Sequence, residues 1–333
     1  MTRSRLVVFV SMVVVGLGVA AGIGALYLDP ARAAVGPVPA EGLVLPATAR
    51  FVMGVDVKRL TTSPFYKKQA ALRPDAFRDL EARTGVNPER DVETLLVAGG
   101  AQDQGVALFV GTFDRARLAR AIETEKKAQV TWKDVQGTTV YLFREGSKHP
   151  SAAAFLDDRR LVVGSAEAVE AAVAANLQGG VGLKANPALT ALLERVKPGS
   201  TFWMVGDQSL LANLPKSVPM GGGESTVTLP ALQSLVVTGD LEPMVSLAIT
   251  GDATDEASAK NLADVVRGFV AIMSMQAGQR PEFKQLASAV SVTTEASRVQ
   301  VNARIPYDLI DALAPKHAAK AASAEPLASS PTR

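Results

Sequence analysis

The sequence predicts an α+β fold: an N-terminal transmembrane helix, then two similar domains, each an antiparallel sheet with helices packed on one face. Three observations predict it. Residues 6–28 form an uncharged apolar run, two later stretches resemble each other, and both alternate strand-like with helix-like patterns. The predicted segments are a cytoplasmic tip with the transmembrane helix (1–28), an extended linker (29–48), α+β domains over 49–185 and 186–314, and a disordered tail (315–333).

The apolar run is long enough to cross a bilayer. Its 23 residues reach roughly 34 Å at about 1.5 Å per residue, against a hydrocarbon core of about 30 Å. Arg3 and Arg5 precede it and predict a cytoplasmic N-terminus, with the body on the other side of the membrane. The alternative is a signal peptide cleaved near Ala33, since small residues flank Arg32. Both interpretations predict an extracytoplasmic body.

Two glycines within the run are spaced for helix–helix contact. Gly18 and Gly22 lie four residues apart, on the same face of a helix. Such small-residue faces let two membrane helices approach closely. The sequence therefore predicts a possible homodimer through the transmembrane helix.

Composition excludes several classes of site. The 333 residues contain no cysteine, so disulfides, thiolate metal sites and a lipoprotein anchor are excluded. The net charge of +2 comes from the ends: residues 1–32 carry +2 and residues 316–333 carry +2, which leaves −2 on the body. A nucleic-acid partner is not expected, because it needs a concentrated basic face.

Elements of the first domain follow from apolar alternation and from capping residues. Short links at Gln136-Gly137 and Asp157-Asp158 favour hairpins and hence antiparallel pairing. Strands are predicted over 50–56, 93–99, 105–112, 129–134, 137–144, 152–157 and 159–164, and helices over 63–84 (broken at Pro74), 114–127 and 166–177.

The second domain repeats the first. Residues 51–60 match 202–211 at an offset of 151, and residues 95–113 match 235–253 without a gap at an offset of 140. The first copy therefore has 11 additional residues between these blocks. We place the insertion around residues 85–91, an Asn-capped turn with proline at the first helical position.

Further matches extend the repeat. Arg160 and Arg298 begin similar strands, and Asp114 and Thr254 are predicted to cap equivalent helices. The helix that Thr254 is predicted to cap is expected over 255–277, because its apolar residues have the spacing of a helix lying on a sheet.

Asp56 and Asp207 are the candidate catalytic residues, because they occupy matching positions in the two copies. A pseudo-twofold axis that brought them together would resemble the carboxylate pair of aspartic proteases. The alternative is that each aspartate caps the short helix that follows its strand. The second interpretation is favoured, because neither is followed by the Thr/Ser-Gly turn of those enzymes.

No other catalytic, cofactor or metal pattern is present. The chain has two histidines, His149 and His317, without the paired spacing of a zinc site. It has no Ser-x-x-Lys motif, no Gly-x-Ser-x-Gly elbow and no Gly-Lys dipeptide. The sequence therefore predicts neither an enzyme nor a cofactor.

The segment Thr84–Ala98 (TGVNPERDVETLLVA) and the segment Ala154–Gly164 (AFLDDRRLVVG) resemble those of bacterial exported or membrane-anchored α+β repeat proteins. The resemblance covers about residues 46–200. Its motifs are structural turns, and it implies an exported α+β body but no activity.

Together these patterns predict a single-pass protein of the inner membrane with its body on the extracytoplasmic (periplasmic) side. We expect a binding or structural protein without catalytic chemistry, whose ligand is an envelope protein or a lipid. The alternative is an envelope hydrolase with a site between the two repeats.

Overall fold

The computed structural model describes residues 40–68, 75–100, 104–124, 129–144, 150–211, 217–219, 226–228, 230–275 and 281–313. Within these ranges the chain is an α+β protein with a large antiparallel sheet. The apolar run with Gly18 and Gly22, both histidines and the tail lie outside the described residues. No helix within the described ranges is long and apolar enough to cross a membrane.

The strands of the two repeats alternate with helices along the chain. The strands are β1 (Phe51–Asp56), β2 (Val92–Gly99), β3 (Gly105–Gly111), β4 (Gln129–Val135), β5 (Thr138–Arg144), β6 (Ser151–Phe155), β7 (Arg160–Ser165), β8 (Phe202–Asp207), β9 (Ser217–Pro219), β10 (Thr226–Thr228), β11 (Leu232–Asp240), β12 (Val245–Ala253), β13 (Val290–Glu295) and β14 (Arg298–Ile305).

Short and long helices connect these strands. The α-helices are α1 (Val57–Thr62), α2 (Pro64–Lys68), α3 (Asp75–Thr84), α4 (Pro88–Asp91), α5 (Arg115–Glu123), α6 (Ala166–Leu177), α7 (Pro187–Leu193), α8 (Gln208–Leu211), α9 (Glu256–Met275), α10 (Pro281–Ser288) and α11 (Tyr307–Leu313). Among the described residues, Ala40–Val44 and Leu183–Ala185 form 3-10 helices.

The two repeats form halves of one sheet. Among the described strands, twelve are ordered β13-β14-β12-β11-β8-β1-β2-β3-β7-β6-β5-β4. The first strands of the repeats, β1 and β8, pair antiparallel in the middle, with Met53 opposite Met204. This pair therefore lies on the local twofold axis that relates the halves. The structure corrects the expectation of two domains with a sheet each: strand pairing continues from one repeat into the other.

The two largest apolar cores among the described residues lie on opposite faces of this sheet, because consecutive strand residues point to opposite sides. In β2, Leu95 belongs to the first core and its neighbour Leu96 to the second. Both cores contain residues of both repeats: Ile305 is in the first core and Val236 is in the second. The predicted boundary between residues 185 and 186 is therefore not a boundary between independent cores.

Helices cover the two faces unequally. The face that carries the first core is covered by five helices, namely α1, α2, α5, α10 and α11. The face that carries the second core is covered by α6 and α7. The first repeat thus has helices on both faces, which corrects the prediction of one covered face. In the second repeat, Gln300 and Arg304 of β14 are exposed on the side opposite the first core.

The folded body begins earlier in the sequence than predicted. Residues 40–48 were predicted as part of an extended segment, but Ala40–Val44 is a 3-10 helix. Val44 and Leu45 are fully buried, and Val44 is part of the second core. The linker interpretation therefore does not hold from residue 40 onward, because apolar side chains pack there against the sheet.

Local capping signals start the helices near the predicted positions. Asp114 accepts the backbone N–H of Arg117 at the start of α5. For α9, however, the carboxylate of Asp255 accepts the backbone N–H of Ser258 at 2.7 Å. Asp255 is therefore the cap, rather than the predicted Thr254. Within the predicted helix over 63–84, with its predicted break at Pro74, the described residues form α2 and α3.

Strand pairing also corrects the gapless repeat alignment. Gly99 pairs with Gly105, which leaves the five residues 100–104 between them. The equivalent Gly239 pairs with Leu247, which leaves the seven residues 240–246. The second hairpin is therefore two residues longer, and β3 and β12 correspond at an offset two residues larger than the alignment predicts.

Candidate functional site

The structure places Asp56 and Asp207 at helix starts. The Asp56 carboxylate accepts the backbone N–H of Arg59 at 2.9 Å and caps α1. The Asp207 carboxylate accepts the backbone N–H groups of Ser209 and Leu210 at 2.8 and 3.1 Å. Both carboxylates therefore satisfy the donors that a helix N-terminus leaves unpaired.

The two aspartates do not meet. Because β1 and β8 run antiparallel, their C-terminal residues lie at opposite ends of the paired strands. The Asp56 N–H donates to the carbonyl of Thr201, and the Asp207 N–H donates to the carbonyl of Arg50. Thr201 and Asp207 are six positions apart in the sequence, which corresponds to about 20 Å along a strand. A shared-proton carboxylate pair needs direct contact, so these residues cannot form one.

A partly open crevice lies beside the first core in the first repeat. Its walls come from α1, α2, α3, α4, β2 and β3, and the space that they enclose is small, about 10 Å³. The lining residues are Val57, Thr61, Tyr66, Phe77, Pro88, Glu89, Val92 and Phe109. Aliphatic and aromatic side chains make up most of this wall, as is typical of pockets that take apolar ligands.

Polar groups of the crevice are already engaged within the protein. The Tyr66 hydroxyl donates to Glu89 Oε1 at 2.6 Å. The Thr61 hydroxyl donates to the carbonyl of Val57 at 2.9 Å, within its own helix. The proton of the Thr61 hydroxyl is therefore already used within the helix. The rest of this wall favours apolar contact.

A charged network positions the α4 wall of the crevice. Asn87 caps α4 and accepts the backbone N–H of Glu89 at 3.0 Å, while its side-chain amide donates to Glu81 at 2.9 Å. Arg90 binds both Glu81 and Asp91. Burial opposes ionisation of Asp91, but hydrogen bonds from Arg90 and from the Asn87 backbone outweigh it and lower the pKa of that carboxyl. The network holds Pro88 and Glu89 at the crevice.

The crevice arises where the repeats differ. Helices α2, α3 and α4 lie between α1 and β2, in the part of the first repeat that contains the additional residues. In the second repeat the corresponding segment between α8 and β11 contains the strand pair β9–β10. Sequence reasoning detected the insertion and its Asn-capped turn over 85–91, but missed the crevice. The change of offset between the repeat blocks was the available signal.

A second polar cluster is closed to ligands. Asp240 is 6% exposed, and its Oδ1 accepts the Thr201 hydroxyl at 2.8 Å and the Leu241 N–H at 3.0 Å. Burial raises the pKa of Asp240, against the effect of these hydrogen bonds and of the Arg59 charge. Its other oxygen and the hydroxyl of Ser246 have no hydrogen-bond partner among the described residues. Because both side chains are buried, this cluster has no open access for a substrate.

Comparisons with known proteins give little for this chain. No model of a known protein family matches it, and no curated protein matches it. Among solved structures the chain is similar to one described as "Structure of crystal form I of TP0453". The similarity has a TM-score of 0.44 and 11% sequence identity, and it covers 85% of this chain and 98% of that chain.

Proposed function

We propose that this chain is a single-pass, membrane-anchored extracytoplasmic binding protein without catalytic chemistry. The apolar run 6–28 supports the anchor, because its length matches a bilayer core. The basic residues before it support an extracytoplasmic body. Cleavage near Ala33 would give the same body as a secreted protein, and a homodimer through Gly18 and Gly22 is part of the membrane-anchored proposal.

The crevice beside α1 is the proposed binding site, and an apolar chain is its proposed ligand. The observation that carries this proposal is an apolar wall built largely by α2, α3 and α4, where the described residues of the second repeat have the strand pair β9–β10 instead. The space that the crevice encloses is only about 10 Å³, so the crevice is a shallow apolar surface and not a closed cavity. It would hold the end of one short apolar chain, such as part of a lipid acyl chain, against its wall and leave the rest of that ligand in water.

The alternative, an envelope hydrolase with a site between the repeats, is not supported by the residues proposed for it. Asp56 and Asp207 are the candidates for that site, and each binds backbone N–H groups at its own helix start. Their separation along the paired strands leaves no common position for a substrate. The geometry of these carboxylates therefore favours binding over hydrolysis.

Substitution of Thr61 tests the crevice. The Thr61→Trp variant adds a ring on the side of α1 that faces the crevice, and it should weaken binding of a fluorescent medium-chain fatty acid at least about tenfold, because the ring competes for the same apolar wall. Fluorescence titration of the purified full-length protein measures the affinity.

Thr62→Trp is the matched control. Thr62 is exposed on the same helix and does not line the crevice. Its substitution should leave the affinity unchanged, while circular dichroism checks that both variants are folded. Equal affinity of the two variants, or failure of the unsubstituted protein to bind the probe, contradicts the proposed site.

A further inference from the structure

Two exposed apolar side chains and one half-buried one lie close to the first described residues of the chain. Leu177 ends α6 and is 44% exposed, and Val181 lies in the following turn and is 48% exposed. Leu43 of the first 3-10 helix is half-buried beside this turn, because a Cβ built on Gly180 would lie 3.5 Å from the Leu43 Cβ. We call Leu43, Leu177 and Val181 the entry patch.

The turn that carries the entry patch has a defined backbone. The Gly180 N–H donates to the carbonyl of Ala175 at 2.8 Å, and the Gly179 N–H donates to the carbonyl of Asn176 at 3.1 Å. Both glycines have positive φ angles, 75° and 80°, which ends α6 in the manner of a glycine C-cap. Leu177 and Val181 are therefore held at the surface by hydrogen-bonded backbone.

Exposed large apolar side chains are concentrated at this place. Within the described residues, Trp132, Leu177, Val181 and Met275 are the large hydrophobic residues that are exposed. Two of these four belong to the entry patch. Trp132 lies on the edge strand β4, on the face of the sheet opposite α6, and Met275 ends α9 in the second repeat.

The length of the preceding chain identifies what the entry patch faces. Ala40, the first described residue, lies three positions before Leu43, and the apolar run ends at Leu28. The eleven residues 29–39 can span at most about 40 Å. If residues 6–28 cross the bilayer, the patch is at the end of the body from which the chain leads to the membrane.

We propose that the entry patch contacts the lipid bilayer surface and thereby sets the orientation of the body above the membrane. The inference rests on the proposed membrane anchor. Glu41 and Lys184 flank the patch in the sequence with one charge of each sign. The contact therefore depends on apolar side chains that enter the interface between headgroups and acyl chains, and not on a match of charge.

A single-cysteine experiment tests this contact, because the chain contains no cysteine. Gln178 is exposed between Leu177 and Val181, so the Gln178→Cys variant leaves the patch intact. The labelled full-length protein is reconstituted into phosphatidylcholine and phosphatidylglycerol vesicles that contain headgroup-nitroxide lipids. Lipid nitroxides should quench the dye at position 178 at least about twofold more than dyes in Trp132→Cys and Met275→Cys, since only the patch approaches the headgroups.

Two controls separate the possible results. Equal quenching at the three positions, or stronger quenching at 132 or 275, overturns the contact. The second control adds Leu177→Ser and Val181→Ser to the labelled Gln178→Cys variant. Unchanged quenching in that variant would show that the position is near the membrane without apolar docking, and would also overturn the proposed contact. Failure of the protein to float with the vesicles overturns the anchor itself, so it is distinguishable from failure of the patch in a protein that does float.

Discussion

At the scale of single residues, one carboxylate connects three parts of the second half. Asp252 of β12 accepts hydrogen bonds from Arg195 at 2.5 Å, from Arg298 at 2.8 Å and from Ser234. Arg195 follows α7, and Arg298 begins β14. Burial would raise the pKa of Asp252, but the hydrogen bonds from these partners outweigh it and lower the pKa to about 2.

Asp252→Asn should destabilise the protein in a pH-dependent manner. The folded-state pKa of about 2 lies below the unfolded value near 3.9, so the ionised carboxylate contributes stability above pH ~4 that is lost as the pH falls toward 2. The substitution should therefore lower the free energy of unfolding by about 2 kcal/mol at pH 7 and by much less near pH 2. Urea unfolding at several pH values measures this difference.

The exposed Asp264 provides the control for that substitution. Its pair with Arg267 lies on one turn of α9, with side chains 59% and 47% exposed. Asp264→Asn should change the free energy of unfolding by less than about 0.5 kcal/mol, because solvent screens such pairs. An Asp252→Asn effect that is as small, or that does not depend on pH, would contradict the stated role of the cluster.

At the scale of elements, glycine has opposite roles in a helix and in the sheet. Gly268 lies inside α9, and a Cβ built on it meets no atom within 4 Å. Gly164 lies in β7, where a Cβ would overlap the backbone oxygen of Gly105. The first glycine only adds freedom to the unfolded chain, whereas the second permits the close approach of β3 and β7.

Alanine at these two glycines should therefore change stability in opposite directions. Gly268→Ala should raise the free energy of unfolding by about 0.5–1 kcal/mol, because alanine favours the helix. Gly164→Ala should lower it by about 1–3 kcal/mol through strain in strand pairing. Thermal unfolding followed by circular dichroism measures both. Destabilisation by Gly268→Ala would show that α9 packs more tightly there than the structure indicates.

At the scale of the whole molecule, the two repeats share one sheet and two apolar cores. Strands β1 and β8 join the halves, and both apolar cores contain side chains from each repeat. Separation of the halves would expose apolar residues such as Val55 in the first core and Val205 in the second. The repeats therefore depend on each other for burial, unlike two linked domains.

Hydrogen exchange should show this cooperativity directly. The hairpin β2–β3 of the first repeat and the hairpin β11–β12 of the second should lose protection at the same denaturant concentration, because they open in one global step. Mass spectrometry of exchanged peptides from the full-length protein gives the two midpoints. Clearly separate midpoints would show that the repeats unfold as independent domains.

The described helices and strands were largely predictable, because their signals are local. Asn87-Pro88 predicts a capped turn and the structure has α4 there, and the apolar run over 105–112 predicts a strand that is β3. The capping interpretation of Asp56 and Asp207 also depended only on neighbouring residues. Boundaries shifted where close alternatives existed, as when Asp255 rather than Thr254 caps α9.

The sequence alone determined that the two repeats are similar, that Asp56 and Asp207 are equivalent, and where most helices and strands lie. Each of these depends on residue order and on local backbone preferences. Only the tertiary structure decided that β1 and β8 pair, which joins the repeats in one sheet and holds those aspartates apart. It also assembled the crevice from helices α1 to α4 and two strands. The physical reason is that strand pairing and side-chain packing bring together residues that are distant in the sequence. A sequence repeat shows that two segments are alike, but it does not show how they pack against each other.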